Sequence, residues 1–517
     1  MNNNQINDST DSEFSPNDLT SQLKEQLNES INDNMITLRK LFSNSSDFIT
    51  KNINLCGHEV VIMYCEGMID LKLLKPLIIK PMLKYNNNQN NNNDANQLLK
   101  WLEDNIVLIT SNNILFTYNE IFTSIMSGNL VILINGVKTA LSAEMAGFKS
   151  RAISESINEV DIRSPQEAFT EPIKINLTMI RRRIKSPALK FETITLGKKS
   201  QTSVTMVYLT DVVNCKLLQC IRNKLSKVNM DILLDSSYLA TFLSGTTFSI
   251  LPEIRYSERP DVVCGKISEG RVAILVDGCP HAIIVPHLFI ESFQTMDDYT
   301  NRPFFASFMR ILRYFSFFIS ILMPGAYVAI SSFHPEMFPQ SLLYNVAISQ
   351  EVTPFPIMIE ALIIHLIYEL MREAGIRLPK QIGYAVSIVG ALVIGESAVS
   401  SGIIGAPMVI IVALTAITSF IMTPMYQSVC ILKFAFIILG GISGLYGLTL
   451  GFCCLILNIT SIKEFSIPYT SPISPFNKYF MRDTFIRRNW NYMGKKNIKI
   501  QNMPGTKQYL NKQNTND

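Results

Sequence analysis

The stretch ESAVSSGIIGAPMVIIVALTAITSFIMTPMYQSVCILK, residues 396–433, holds thirty-six uncharged residues between Glu396 and Lys433. A second uncharged run, FAFIILGGISGLYGLTLGFCCLILNITSI, follows at once from Phe434 to Ile462. A helix on the surface of a soluble core needs a polar face, and neither run supplies one, so the composition predicts a membrane environment. The first three hundred residues, by contrast, carry ordinary charged sequence. The chain therefore reads as a soluble half fused to an all-α polytopic membrane domain, which excludes most soluble enzymes.

The formal net charge of +4 over 517 residues argues against general nucleic-acid binding. The basic excess gathers after the last apolar run. From Lys463 to Asp517 ten Lys/Arg (463, 478, 482, 487, 488, 495, 496, 499, 507, 512) face three acids. Two readings follow, a positive-inside anchor beside anionic lipid or a partner-binding tail, and the position favours the anchor. The opening MNNNQINDSTDSEFSPNDLT has neither a basic n-region nor an apolar h-region, so the soluble half is expected in the cytosol. Nine scattered cysteines (56, 65, 215, 220, 264, 279, 430, 453, 454) without C-x-x-C or zinc spacing read as free thiols.

Within the soluble half the sequence repeats itself. VVIMYCEGMIDLKLLKPL from Val60 parallels VTMVYLTDVVNCKLLQCI from Val204, at an offset of 144. GNLVILINGVKTAL from Gly128 parallels GRVAILVDGCPHAI from Gly270, at an offset of 142. Two blocks at nearly one offset imply two related units. Each opens on a β-branched strand, continues into a helix and ends on an apolar strand closed by Asn-Gly or Asp-Gly, a hairpin signal. The expected fold is a tandem-duplicated α/β or α+β half. Its divisions are a disordered 1–35, subdomains at 36–145 and 146–300, a transmembrane helical domain at 304–462 and a basic cytosolic tail at 463–517. The run Asn86–Asn93, broken only by Gln89, reads as a solvated loop. Arg181-Arg182-Arg183 reads as a solvated helix face, or as a contact to phospholipid or a neighbouring subunit.

Five apolar segments stand out, roughly Ile311–Phe333, Phe355–Met371, Gly383–Ser400, Ile403–Met422 and Val429–Ile459. Arg310 and Arg313 are expected to snorkel at the start of the first. The loop His334–Pro354 has no Lys or Arg and Arg372–Lys380 has three, which places them on opposite sides. A cytosolic tail then needs an even number of crossings. Five is odd, so either one segment does not cross or the last bends back as a hairpin. Glu360, His365, Glu369, Arg372 and Glu373 make the second segment polar on two sides, fit for the membrane surface or for lining water in an oligomer. Gly440, Gly444, Gly447 and Gly451 are expected on one face of the last helix, permitting close helix packing.

Enzymatic signatures are lacking. Gly197-Lys198-Lys199-Ser200 imitates the end of a phosphate loop, but Glu192 stands where its first glycine belongs. No dinucleotide fingerprint, HExxH or nucleophile elbow occurs. The chain is read as no enzyme, with no cofactor and no metal.

Long blocks do resemble a known family. They are SRAISE (150–155), RSPQEAFTEP (163–172), ERPDVVCGKISEGRVAILVDG (258–278), HPEMFPQSLLYNVAISQ (334–350), FPIMIEALIIHLIYELMREAGIRLP (355–379) and GYAVSIVGALVIGESAVSSGIIGAPMVIIVALTAITSF (383–420). Over roughly Ile36 to Tyr479 the chain resembles the A subunits of spore nutrient-germinant receptors, the GerA type. The resemblance implies an inner spore membrane protein that works with a transporter-like B subunit and a lipoprotein C subunit. It also implies a homo-oligomeric ring, with a pentamer as the family-based expectation, and release of ions once nutrient binds. On that basis Glu360, His365 and Glu369 become pore or gating candidates, joined by Glu396 where relatives often carry Gln. Two alternatives stay open. One is a subunit like the stage V sporulation protein AF, linked to dipicolinate release; the other is a scaffold that assembles the receptor without conducting.

Overall fold

The structure, a computed structural model, describes residues 24–55, 57–83, 95–106, 113–147, 159, 165–244, 249–378, 395–478, 480–489, 491 and 500. The Asn86–Asn93 run and most of the segment Gly383–Ser400 lie outside them. Residues 24–35 belong to the fold rather than to a disordered N-terminus: Leu27 is buried, and Ser30 caps the first helix by accepting from Asp33 N at 3.4 Å.

The first unit contains α1 (Ile31–Leu41), β1 (Phe48–Leu55), β2 (His58–Cys65), α2 (Leu71–Leu74, continued as a wider turn through Ile79), α3 (Ala95–Ile106), β3 (Asn113–Leu115), α4 (Tyr118–Met126), β4 (Asn129–Ile134) and β5 (Ala140–Glu144). Its sheet is antiparallel throughout, in the order β1-β2-β4-β5-β3. Alternate residues of β2 enter two separate cores. Val60, Ile62 and Tyr64 pack beneath α2 and α3, while Val61, Met63 and Cys65 pack beneath α1 and α4. Burial on both faces is why VVIMYC is a continuous apolar run rather than an alternating one.

The second unit repeats this plan with α5 (Ile173–Arg183), β6 (Leu189–Leu196), β7 (Thr202–Leu209), α6 (Cys215–Ser226), α7 (Ser236–Leu243), β8 (Arg255–Ser257), α8 (Pro260–Ser268), β9 (Val272–Val276) and β10 (Ala282–Val285), in the order β6-β7-β9-β10-β8. The duplication extends to single hydrogen bonds. Asn34 Nδ2 donates to the Asn28 carbonyl, and Asn176 Nδ2 to the Thr170 carbonyl. Asn135 Oδ1 receives Ile31 N at 3.2 Å, and Asp277 Oδ1 receives Ile173 N at 3.0 Å. Asp70 and Asn214 cap α2 and α6 alike, each accepting an amide at 2.9 Å.

The units meet where residues 43–47 of the first touch α5 and β6 of the second. Arg181, expected on a solvated face, is buried there. It gives Nε and Nη2 to Asp47 at 2.9 and 2.8 Å, Nη1 to the Leu189 carbonyl, and stacks 4.3 Å over the Phe191 ring. Arg183 pairs with Glu167 at 2.5 Å. Of the triple, Arg181 is thus the joint between the units, while Arg182 and Arg183 pair with Glu167 of their own unit.

The helical half comprises α9 (Pro303–Phe333), α10 (Gln340–Val352), α11 (Ile357–Arg377), α12 (Ala406–Ile421) and α13 (Tyr426–Ser461). A bend of 80° separates α10 from α11. By length α13 counts as one span, yet the chain reverses at Gly444 (φ 60°, ψ −147°). A Cβ at Gly451 would sit 2.6 Å from the Leu439 side chain and 3.2 Å from the Phe436 ring. In one straight helix residues 436 and 451 would be roughly 22 Å apart. α13 is therefore a hairpin of two arms, 426–443 and 445–461, each about 26 Å long. Its tip meets the far end of α9, where the Phe333 ring lies 3.1 Å from a Cβ built on Gly444.

Both feet of the hairpin return to the second unit. Ser428 Oγ donates to the Ile250 carbonyl at 2.5 Å, and Tyr469 OH to the Pro252 carbonyl at 2.8 Å. Between them Leu251 enters the same core as Met422, Met425 and Val429. Arg310 and Arg313 do not snorkel. Arg310 is fully buried, 2.7 Å from both Asp298 and Asp483, and Arg313 reaches Asp298 at 2.9 Å. The described part of the tail is likewise folded in: Arg487 is buried and gives its guanidinium to the carbonyls of Asn301 and Tyr299.

Candidate functional site

The ionisable residues of α11 are positioned by two neighbours. Against the first arm of α13 the helix runs antiparallel, with Met358 packed on Gly441 and Glu369 on Lys433. Against α12 it runs parallel, with Glu360 beside Gly405 and His365 beside Thr415. Pro356 precedes α11 and Gly405 precedes α12, and the contacts to the hairpin place both starts at the end remote from the α/β units.

Each polar group has a partner inside the chain. Glu360 Oε1 accepts from Gly405 N at 2.7 Å, placing a carboxylate on the positive end of α12. His365 Nδ1 donates to the Ala361 carbonyl at 2.9 Å, leaving Nε2 as the acceptor 3.4 Å from the Thr415 hydroxyl. Glu369 is the hub. Its Oε1 receives Lys433 Nζ at 2.8 Å, and its Oε2 accepts from the Tyr426 hydroxyl. Arg372 stands 3.9 Å from Oε2, its guanidinium stacked over the Tyr426 ring. Glu369 and Lys433 retain only 15% and 4% side-chain exposure. Removing either partner strands a charge in a low-dielectric setting, so the pair is a two-position element that holds α11 to the hairpin.

Within one chain the structure thus brings Glu360, His365 and Glu369 onto inter-helix contacts rather than onto a water-filled wall. Glu396 lies elsewhere, exposed on the short helix Gly395–Ser400. The four glycines do not share one helix face, because the chain turns at Gly444. Gly440 meets the Gly325 carbonyl of α9, whereas Gly447 and Gly451 face the first arm. Lys433 and Tyr426 were the residues sequence reasoning passed over. A single lysine dividing two long uncharged runs was the available signal, since a membrane charge implies a counter-charge.

Comparison with known proteins follows the same extent of chain. Residues 36–498 match the family described as Bacillus/Clostridium GerA spore germination protein. Spore germination protein KA of Bacillus subtilis (strain 168) is 37% identical over 470 residues, covering 90% of this chain and 85% of the relative. Spore germination protein GerLA of Bacillus cereus is 33% identical over 458 residues, covering 88% and 92%. Among solved structures, the N-terminal domain of the A subunit of the Bacillus megaterium spore germinant receptor GerK3 shares 30% identity, covering 52% of this chain and 98% of that one, with a TM-score of 0.41. The chain belongs to the GerA family of spore germination proteins.

Proposed function

We propose that this chain is the A subunit of a nutrient germinant receptor in the inner spore membrane. In this reading it assembles with further copies of itself, a transporter-like B subunit and a lipoprotein C subunit. The assembly is a ligand-gated path for cations at the onset of germination. The observation that carries the reading is the Glu369–Lys433 pair. Two opposite charges are kept between apolar helices, one of which is fastened at its feet to the α/β half. Such a pair is expensive to keep for stability alone, since apolar residues would pack there at less cost.

Helix directions support the topology. Among the described helices, α9 leaves the α/β side, α11 and α12 both run back towards it, and the two arms of α13 go out and back, so residue 463 rejoins the side of the α/β units. Because the α11 carboxylates have internal partners, we assign them to the gate rather than to the wall of the path.

The test is nutrient-triggered potassium release from spores carrying Glu369→Ala or Lys433→Ala at normal protein level. Altered or constitutive release supports a gate. Unchanged release from both variants would favour the non-conducting scaffold.

A further inference from the structure

The second α/β unit carries a side-chain cluster that the first lacks. Cys279 lies in the turn between β9 and β10, with its Sγ 3.9 Å from His281 Nδ1 and 3.2 Å from the hydroxyl of Ser236, the first residue of α7. The other ring nitrogen, His281 Nε2, stands 3.0 Å from Glu258 Oε1 beside β8. Thiol, imidazole and carboxylate thus follow one another in the order that activates a nucleophilic cysteine, with a helix start beside the sulfur. Asp235, which caps α7, and Tyr256 on β8 also face the cluster.

The duplication shows that the fold does not require this trio. In the first unit the corresponding positions hold Val137, Thr139 and Phe116, on the same hairpin and edge strand. A core cysteine would also need no imidazole with a carboxylate behind it. Cys279 is 3% exposed and the His281 side chain 36%, so the sulfur is approached past the ring. No group of His, Cys, Asp and Glu among the described residues has metal-holding geometry, which leaves covalent chemistry at sulfur.

We propose that Cys279, with His281 and Glu258, is a reactive thiol site that takes low-molecular-weight disulfides. His281 Nδ1 accepts the thiol proton while Glu258 holds the ring. The thiolate attacks one sulfur of the disulfide; a new S–S bond forms as the reagent's own S–S bond breaks. The released thiolate takes the proton from the imidazolium. Electrostatics agree with the geometry. Burial alone would raise the thiol, but the bonds from His281 and Ser236 outweigh it and hold it below the ordinary cysteine value. The Cys279 contact raises His281 in spite of partial burial. Cys264 behaves oppositely, pushed up to about 12 by burial, and Cys65 is raised likewise; both serve as internal references.

The experiment treats the full chain in isolated membranes with oxidised glutathione between pH 6 and 9, reading each cysteine by peptide mass spectrometry. Cys279 should form the mixed disulfide at pH 6.5 while Cys65 and Cys264 stay unmodified. His281→Gln should slow Cys279 about tenfold at pH 6.5 and far less at pH 9, because one unit of titration is tenfold in thiolate. If His281→Gln also exposes Cys65 or Cys264, the decision passes to Glu258→Gln, which keeps the shape and should slow the same step. Cys279 as inert as Cys264 in the unaltered chain, or a pH profile that neither variant moves, overturns the proposal.

Discussion

Arg181 and Asp47 form a bidentate, buried pair, at 2.9 and 2.8 Å, across the joint of two units built on one plan. The position matching Arg181 in the first unit is Arg39, which is exposed and reaches only Thr50. The same helix position is thus surface in one unit and joint in the other. Ser45 completes the contact by accepting from both Arg181 and Phe191 N.

Asp47→Ala should therefore destabilise the α/β half by about 3–5 kcal/mol, since it strands a guanidinium with no water to turn to. Thermal aggregation of the full chain in detergent will read this as a lower midpoint. Adding Arg181→Met should recover a good part of the loss. A single variant with an unchanged midpoint would show that the joint is not held by this pair.

Glu369→Gln and Lys433→Met should each disturb potassium release in spores, and the double variant should lie nearer to normal than either one. That pattern, measured at equal protein level, distinguishes a charge pair from two independent residues. Additive defects would mean the residues do not act through each other.

Gly440→Val should prevent accumulation of folded protein, because a Cβ there meets the Gly325 carbonyl, and backbone cannot give way as a side chain does. Gly444→Ala should cost roughly 1–3 kcal/mol through backbone strain, since its φ of 60° and ψ of −147° suit glycine alone. Immunoblots of spore membranes check both. Normal levels of Gly440→Val would contradict the close approach of α9 and α13.

Glu291 gives the pH prediction. It is buried in the short helix Phe289–Phe293 that precedes α9, where it binds Arg271 and, at 2.7 Å, Lys266. Burial opposes its ionisation, yet Arg271 and Lys266 outweigh that and hold its carboxyl well below the usual glutamate value. The stabilisation is therefore complete above the ordinary glutamate range and is lost as pH falls through the depressed value. The unfolding midpoint of the full chain should stay level from pH 7 to 5 as far as this group is concerned, and fall at lower pH. Glu291→Gln should lower the midpoint at pH 7 and flatten the acid slope. An unchanged slope would place the acid sensitivity elsewhere.

Much of the architecture could be read from the residues alone. The repeat offsets located both sheets, because a strand buried on two faces leaves a long apolar block that alignment finds. An even number of passes requires either a segment that does not cross or a last segment that bends back, and the chain does bend at Gly444. What stayed hidden were contacts between distant residues. Nothing local in Arg181, Arg310 or Arg487 distinguishes a buried arginine from a solvated one; the difference lies in Asp47 for Arg181, Asp483 for Arg310 and the carbonyls of Tyr299 and Asn301 for Arg487, all far along the chain. The pairing of Glu369 was hidden for the same reason, since helix periodicity reports which face a carboxylate occupies but not what stands opposite. Residue 36 is too late a start for the first subdomain because polar residues such as Ser30 serve as caps as readily as they serve as linkers.

Ser428 near the start of α13 and Tyr469, eight residues beyond its end, are tied to carbonyls of one short loop, those of Ile250 and Pro252. A hairpin so fastened has few ways to move: neither arm can slide past the other without breaking a foot. Leu251 anchors the near end in a shared core, and Gly444 meets Phe333 at the far end. A displacement of that loop would therefore reach the far side of the helical bundle as a tilt of the whole hairpin, with no rewinding of either arm along the way.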